Sequence, residues 1–560
     1  MATEKEQSQV TTADVIFLGG DIITVSDANP TAEALAIKDG KILSVGQCED
    51  VLKWQGNETQ IIDLQGKTLM PGLIEPHTHL ELSAGIYDWI DISQINNPDY
   101  SYESILQTLR DAAATKTPGE WITAFGYDPI INRELRALTA DILDTVSSVH
   151  PIIVMIQSMH TTFVNHKALE VLGITDAIAQ PPDGCFEKDE KGKLTGILRE
   201  SASQRVVSYL PLKTQRENTE VVYKQIERFV QAGYTTIWDA GLIPAIPKAD
   251  SIIRELVQAK DSPLRIIASN SEADMIKHRF PGRLAEERGG NNRFRTTGVK
   301  FWYDGSPYTG NIFLQEPYVD SELMQKGLGL PANNCGQRLY AKEKFEQLVQ
   351  KYHDDGWQIA VHTQGDRAIK EVVDTFEKVL AKSPRKDHRH RLEHCILFSE
   401  GDLMRAAKLG LTVSFHINHI YYYGEALRDE ILGPERANRA MPMRNAIKAG
   451  ILTSLHSDSP MYPPQPFKLM RTAVSRQTRK GEVIGPEQGV NIDEAIKAVT
   501  VNAAWQLFME DAIGSLEVGK YADLVILSDN PWKIDPDKLD EIKVIETYSE
   551  GRRVGQRPII

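Results

Sequence analysis

The feature that most constrains the fold is a rhythm. Four times an amphipathic stretch ends at a glycine and runs directly into a short apolar segment. The first places Val222, Ile226, Phe229 and Val230 on one helical face, then Gly233, then TTIWDAG. The same grammar sets Gly356 before WQIAVHTQ, Gly410 before LTVSFH and Gly450 before ILTSLHSD. Glycine suits the left-handed residue that closes a helix, and a short link from helix to strand is how βα units are chained. Candidate strands in order are 73–79, 235–240, 264–269, 299–304, 358–363, 391–395, 411–416 and 451–458. Eight parallel strands close a (β/α)8 TIM-type barrel, although alternation alone fits a doubly wound open sheet equally well. Polar residues break the tie: His77, His79, Lys300, His362, His394 and Asp458 all fall at or near strand C-termini, where barrel enzymes assemble their sites.

The chain is therefore expected to be α/β, with 70–88 plus 230–509 forming the barrel. The interval 89–229 is too long for one crossover and carries its own elements: Tyr102, Ile105, Leu106, Leu109 and Ala113 mark a helix, and WITAFGY and PIIVMIQ read as strands. It is expected to be an inserted α+β subdomain over the catalytic face, where loops carry specificity. Residues 1–69 and 510–560 look antiparallel, with Asp39-Gly40 suited to a type I′ hairpin turn and a further strand pair turning near Glu550-Gly551. Because an isolated hairpin is marginal in water, the two ends are expected to combine into one composite β-sandwich.

Charge narrows the partners. The net charge of −14 repels phosphate backbones and anionic lipid surfaces, so neither nucleic acid nor a membrane is expected. Four cysteines without a close pair indicate neither a disulfide framework nor a cysteine zinc site. The first twelve residues are polar and no run reaches the roughly 18 apolar residues of a membrane span, so a cytoplasmic location is the expectation.

His77 and His79 stand at i and i+2, which on a strand puts both rings on one face. Alone, such a pair is as well explained by packing. His362, His394 and Asp458, each ending another strand, add the imidazole and carboxylate ligands that zinc takes. Lys300 lies among apolar and aromatic residues in GVKFWYDG. It can reach solvent or pair with Asp304; buried, its amine is neutral more readily and can add carbon dioxide to give a carbamate able to bridge two divalent ions.

PGLIEPHTHL, GVKFWYDGS, VHTQGDRAI, RLEHC, LHSDSP and GSLEVGKYADLVILSDNP together resemble the ordered motifs of the amidohydrolase superfamily, most closely its N-substituted formamide deformylase-like branch. The likeness runs from about residue 13 to 555. It implies a distorted barrel with metal on His77, His79, His362, His394 and Asp458, and with Lys300 as the bridging, carboxylated lysine. One or two ions, zinc first, are implied, and a homodimer is compatible with the likeness. Two departures stand out. The superfamily usually has aspartate where this chain has Glu75, expected to be a supporting or barrel-floor group. It commonly has glycine where this chain has His456, expected to point away into packing.

His160, in SMHTTFVNHKAL, resembles a position near the pocket and is taken as a substrate contact together with Trp302 and His416. His416 and His419 follow strand seven, where they fit either a substrate-lining role or that of ordinary loop histidines; Tyr421, Tyr422 and Tyr423 are expected to pack that loop. Cys395, next to His394, should face away from the mouth.

The chemistry expected of this set is hydrolysis of a C–N bond in a small amide, an N-substituted formamide or a cyclic amide, by metal-activated hydroxide. Asp458 and His394 are the expected proton-handling residues. Alternatives on the same barrel are an esterase or lactonase, an isomerase or lyase using one metal as Lewis acid, or a non-catalytic binding relative, although the latter should lack ligands that are all present here.

Overall fold

The computed structural model describes residues 11–181, 184–207, 214–241, 249–259, 261–272 and 292–555. Residues 1–10 of the polar N-terminal stretch lie outside them, as do 182–183, 208–213 and 556–560.

The four glycines that set the rhythm all take left-handed backbone angles, with φ of 91° at Gly233, 85° at Gly356, 70° at Gly410 and 86° at Gly450. Each stands one residue past the cap of a helix: Gln215–Gln231, Lys342–Asp354, Glu400–Lys408 and Met443–Lys448. The first of these opens with a capping box, in which Thr214 accepts from the Glu217 amide while the Glu217 side chain returns to Thr214. Start and stop signals are thus both written locally.

Eight parallel strands follow one another around a nearly closed barrel: β1 (Leu73–Thr78), β2 (Tyr234–Ala240), β3 (Arg265–Ser271), β4 (Phe294–Trp302), β5 (Gln358–Thr363), β6 (Arg391–His394), β7 (Thr412–Phe415) and β8 (Thr453–Leu455). Ladders join β1 to β2 and each strand to the next up to β8. The seam between β8 and β1 is bridged by side chains and loop backbone instead. The buried Glu75 carboxylate accepts from Ser457 Oγ at 2.7 Å and from its amide at 3.2 Å, while His79 N and Thr78 Oγ1 donate to Ser459 O at 2.8 and 3.0 Å.

A six-stranded sheet lies within the insertion, in the spatial order Gly184–Lys188, Leu194–Glu200, Thr161–Val164, Ile152–Ile156, Ile122–Tyr127 and Ile90–Asp91. A third sheet draws on both chain ends: Leu524–Leu527 pairs antiparallel with Thr68–Pro71. Both expected hairpin turns have positive φ at each central residue, 50° and 77° at Asp39-Gly40 and 49° and 71° at Glu550-Gly551, as a type I′ turn requires. Arg265 of β3 ties this sheet to the barrel, donating to buried Asp523 at 2.7 Å and to Glu550 at 2.9 Å. One local expectation fails. Tyr421, Tyr422 and Tyr423 belong to a helix, Asn418–Ala426, rather than a loop, because the run from Asn418 contains no glycine or proline before Gly424 to break it.

Three histidines interlock beneath β5 and β6. His353 Nε2 donates to Ser383 O at 2.7 Å, which leaves its Nδ1 to accept from His390 Nε2 at 2.9 Å. His390 Nδ1 accepts from Ile359 N and His388 Nδ1 from His390 N, both at 2.9 Å. Every ring nitrogen is committed in the neutral form, so an added proton has no acceptor to face. Burial depresses all three, His388 to about 4. A group whose folded pKa lies below its unfolded value of about 6.5 contributes stability that is full above that value and is lost as pH falls toward the folded pKa. The urea midpoint is therefore expected to drop between pH 7 and pH 4.5, and less steeply in His388→Asn. An equally steep drop in the variant would place the acid sensitivity elsewhere.

Candidate active site

The barrel mouth gathers imidazoles around one carboxylate. Asp458 lies three residues beyond β8 with a left-handed φ of 58°, which turns its side chain into the mouth. Its Oδ1 is 3.5 Å from His77 Nε2 and 3.4 Å from His79 Nε2, and its Oδ2 is 3.8 Å from His394 Nδ1. His394, the last residue of β6, is likewise left-handed at φ 71°. Potential ligand atoms within 4.8 Å of one another occur in overlapping groups: His77, His79 and Asp458; His394, His416, His456 and Asp458; and His77, Glu393 and His456.

The orientation of His77 is fixed from behind. Its Nδ1 donates to Glu393 Oε2 at 2.6 Å, and Glu393 in turn accepts from Arg391 Nε at 2.8 Å. Nε2 then keeps a lone pair directed into the mouth, the arrangement in which a carboxylate both orients a ligating imidazole and strengthens it as a donor. Burial, reinforced by Lys300 beside His77, by His362 beside His394 and by His416 beside His456, holds these histidines well below the ordinary imidazole range. They are neutral, the form that ligates. Burial raises the Asp458 carboxyl, but the surrounding imidazoles, His79 first, more than reverse this and keep it ionised.

Lys300 neither reaches solvent nor pairs with Asp304. It is buried in β4 with Nζ 3.1 Å from His77 Nε2, and burial pushes its ammonium down to about 8. Asp304 instead accepts backbone amides of Phe313, Gln364 and Gly365 at 2.9 to 3.0 Å. His362 adjoins the cluster without joining its groups: its ring centroid is 4.4 Å from that of His394, while Nε2 faces Gly305 O at 3.1 Å. Trp302 stands beside it, its ring 5.4 Å from Lys300 Nζ. His416 lies inside the second group, its ring 5.8 Å from His394.

His456 overturns the expectation that it packs away from the site. It stacks on His77 with centroids 4.5 Å apart, its Nε2 is 3.1 Å from His394 Nδ1 and its Nδ1 is 2.8 Å from Ser414 Oγ. It stands two residues before Asp458, the spacing that shares a face on a strand, and its amide still donates to Phe415 O of β7 at 3.2 Å.

His160 comes from the insertion. Its Nδ1 donates to Glu200 Oε2 at 2.8 Å, and Glu200 Oε1 accepts from Asn311 of the loop after β4 at 2.6 Å. Met159 and Glu200 are both left-handed non-glycine residues, at φ 62° and 51°, so backbone conformations disfavoured for such side chains present this pair. Burial disfavours the imidazolium, yet Glu200 outweighs it and raises the His160 pKa, with Asp458 and Asp304 adding to the effect.

Sequence reasoning missed Glu393, Glu200 and Asn311. Arg391 and Glu393, opposite charges at i and i+2 on the strand that ends at His394, were a usable signal for a buried pair; Glu200 and Asn311 carried none.

The donor set fits a divalent ion. Asp458 Oδ1, on which His77 Nε2 and His79 Nε2 converge, is buried without a hydrogen-bond partner, and imidazoles with a carboxylate are the ligands zinc takes.

Comparison with known proteins identifies the family. N-substituted formamide deformylase of Arthrobacter pascens is 27% identical over 553 residues, covering 96% of this chain and 97% of its own. Protein LONG AFTER FAR-RED 3 of Arabidopsis thaliana is 27% identical over 557 residues, covering 97% and 91%. The crystal structure of an uncharacterized metal-dependent hydrolase from Pyrococcus horikoshii OT3 has the same fold, with a TM-score of 0.72 at 23% identity over 93% of this chain and 99% of that one. The amidohydrolase family model matches residues 60–555. With that match spanning most of the sequence, the chain belongs to the amidohydrolase family.

Proposed function

We propose that this hydrolase cleaves the C–N bond of a small amide, an N-substituted formamide or a cyclic amide, and that His77, His79, Lys300, His362, His394 and Asp458 hold its divalent metal. The observation that carries the reading is the convergence of His77 Nε2 and His79 Nε2 on one oxygen of Asp458, with Glu393 fixing the His77 tautomer from behind. The formamide deformylase relative supports formamides within the class. When bound, a divalent ion, zinc in this reading, supplies an acidified water and polarises a carbonyl.

The chain's own groups divide the remaining work. Asp458, kept ionised, takes a proton from the attacking water and returns it to the departing nitrogen. His394, whose Nδ1 lies 3.8 Å from Asp458 Oδ2, assists by its place beside that carboxylate and not by carrying the proton, because its Nδ1–H faces His456 Nε2 at 3.1 Å. His416 offers an unpartnered buried Nδ1, and His160, whose pKa Glu200 raises, offers Nε2; both are placed here against the substrate carbonyl, beside Trp302. Lys300, buried against His77, is read as a lysine that would carry a carbamate: its neutral amine would form an N–C bond to carbon dioxide and release one proton, giving an anionic metal ligand.

Two measurements test this. Exhaustive chelation should abolish turnover of N-substituted formamides and added zinc or manganese should restore it; full activity in protein shown metal-free by elemental analysis would sink the metal assignment. Asp458→Asn keeps the shape but removes the basic oxygen. It should lower kcat by about 10² to 10⁴, the usual span for a general base, while metal stoichiometry is retained. Near wild-type kcat with full metal loading would move the proton transfer to another group.

A further inference from the structure

His160 stands in the turn between two strands of the insertion, Ile152–Ile156 and Thr161–Val164. On one side this turn lines a cavity of about 260 Å³, to which Gln157, Ser158 and Thr161 contribute walls beside Phe163 and Leu328. Packing on that side is incomplete, so the position of the His160 ring has to come from polar contacts. Two of them come from one residue. Antiparallel register brings Glu200, the last residue of Leu194–Glu200, opposite His160: Thr161 pairs with Arg199, the Glu200 amide donates to His160 O at 2.8 Å, and its carboxylate accepts from His160 Nδ1 at 2.8 Å. Backbone and side chain of one residue thus clamp backbone and side chain of another.

The clamp also decides which nitrogen faces outward. Burial favours the neutral acid at Glu200, but the imidazole of His160 and the amide of Asn311 more than reverse this and keep a carboxylate there. A carboxylate can only accept, so Nδ1 carries the proton and the ring turns Nε2 the other way. Among the described residues no hydrogen bond engages Nε2, and the His160 side chain is 21% exposed against 9% for Glu200. The free edge lies by the barrel mouth. Against the effect of burial, Asp458 and Asp304 join Glu200 in favouring the His160 imidazolium, and His160 adds to the burial and the Lys300 charge that depress His362.

The other oxygen of Glu200 reaches the barrel. It accepts from Asn311 Nδ2 at 2.6 Å, and Asn311 is closed onto the end of β4 by its backbone: Gly305 N donates to Asn311 O and Asn311 N to Ser306 O, both at 3.0 Å. Gly305 O in turn faces His362 Nε2 at 3.1 Å. Contact runs unbroken from His160 through Glu200, Asn311 and Gly305 to a proposed metal ligand on β5. We propose that Glu200 is a positioning residue for the reaction: it completes the site by holding His160 of the insertion, Nε2 outward, in fixed register with the metal ligands, so that His160 donates to the carbonyl oxygen as it gains negative charge. Nε2 carries a proton to donate when the ring is an imidazolium, the form that the ionised Glu200 favours. The inference rests on the C–N hydrolysis reading and on the place of His160 against the substrate carbonyl.

Two variants keep the contacts and remove the chemistry. His160→Asn puts an amide nitrogen where Nδ1 was, so Glu200 keeps its bond while the outward donor is lost. Glu200→Gln keeps the shape, and with the Asn311 amide turned over both bonds survive without the charge. On metal-loaded enzyme with an N-substituted formamide, His160→Asn should lower kcat by about 10² to 10³, the scale of one oxyanion donor, and Glu200→Gln by about tenfold to a hundredfold, the scale of a group that orients a functional histidine, with KM nearly unchanged in both. The double variant should be no slower than His160→Asn, because Glu200 acts through that ring. Wild-type kcat in Glu200→Gln, losses that multiply in the double variant, or a loss of activity matched by lost metal or a lowered melting temperature would overturn the role. Formate, the carboxylate that formamide cleavage releases, reads the same donor by calorimetry without turnover: its Kd on zinc-loaded enzyme should rise about tenfold in each variant and no further in the double. Equal formate affinities in wild type and variants would overturn the role as well. If the formate pattern holds while the wild type cleaves no formamide, the positioning role stands and the reaction assignment falls.

Discussion

Several imidazoles and one carboxylate can hold a divalent ion only if each ligating ring turns a lone pair, and not its N–H, toward the ion. The bond from His77 Nδ1 to Glu393 performs that task at the most crowded ring, which touches His79, His394, His456 and Trp238 at centroid distances of 4.5 to 5.6 Å. Glu393 is itself fully buried, and burial alone would favour its protonated form. Arg391 counters this with two hydrogen bonds and is anchored by Pro76 O and the face of Trp238. A chain of three charged or polar groups, Arg391 to Glu393 to His77, thus sets which nitrogen faces the mouth. A buried pair of this kind is weak evidence for stability. Its value lies in orientation.

The insertion is joined to this centre by polar contacts and not merely laid over it. Glu200 bonds His160 on its own segment and Asn311 on the loop after β4, so one carboxylate registers the insertion against the strand that carries Lys300. Asp128 does the same through Tyr423 in the helix after β7, and Gln157 through Met461 in the loop after β8. Three points on separate barrel loops define a position that a single hydrophobic contact would leave free to slide. Residues 157–161 can therefore hold both a group aimed at the reacting carbonyl and the wall of a cavity beyond it.

Much of this was legible in the sequence because it rests on local rules. A glycine after a helix, an Asp-Gly turn and the i, i+2 spacing of His77 and His79 carry their geometry within a few residues. His456 was misjudged although its i, i+2 spacing from Asp458 is the one that puts two strand residues on a shared face. Glu200 and Asn311 were invisible for a different reason: they are 111 residues apart and meet only when the insertion docks. No periodicity encodes such a contact. The cavity beside Thr161 depended on docking in the same way.

The two departures from the superfamily pattern meet at the seam of the barrel. β8 spans only Thr453–Leu455, so its C-terminal end cannot close the sheet by backbone pairing alone. Glu75 carries one more methylene than aspartate, and its carboxylate accepts both the amide and the hydroxyl of Ser457 across the gap. Burial pushes Glu75 up to about 8, so its protonated form is readily available, and the carboxyl keeps an acceptor oxygen for Ser457 in either state. His456, one residue earlier, fills space beside His77 that glycine would leave open, and links Ser414 to His394. For His394 to offer Nε2 to a ligand, its Nδ1 must carry the proton and donate to His456 Nε2, which requires His456 to donate from Nδ1 to Ser414. This second chain, Ser414 to His456 to His394, does for His394 what Arg391 and Glu393 do for His77. The longer acid closes the seam and the added imidazole orients a ligand beside it, so residues 75 and 456 act on one short stretch, Ser457 to Ser459, that sets where Asp458 points.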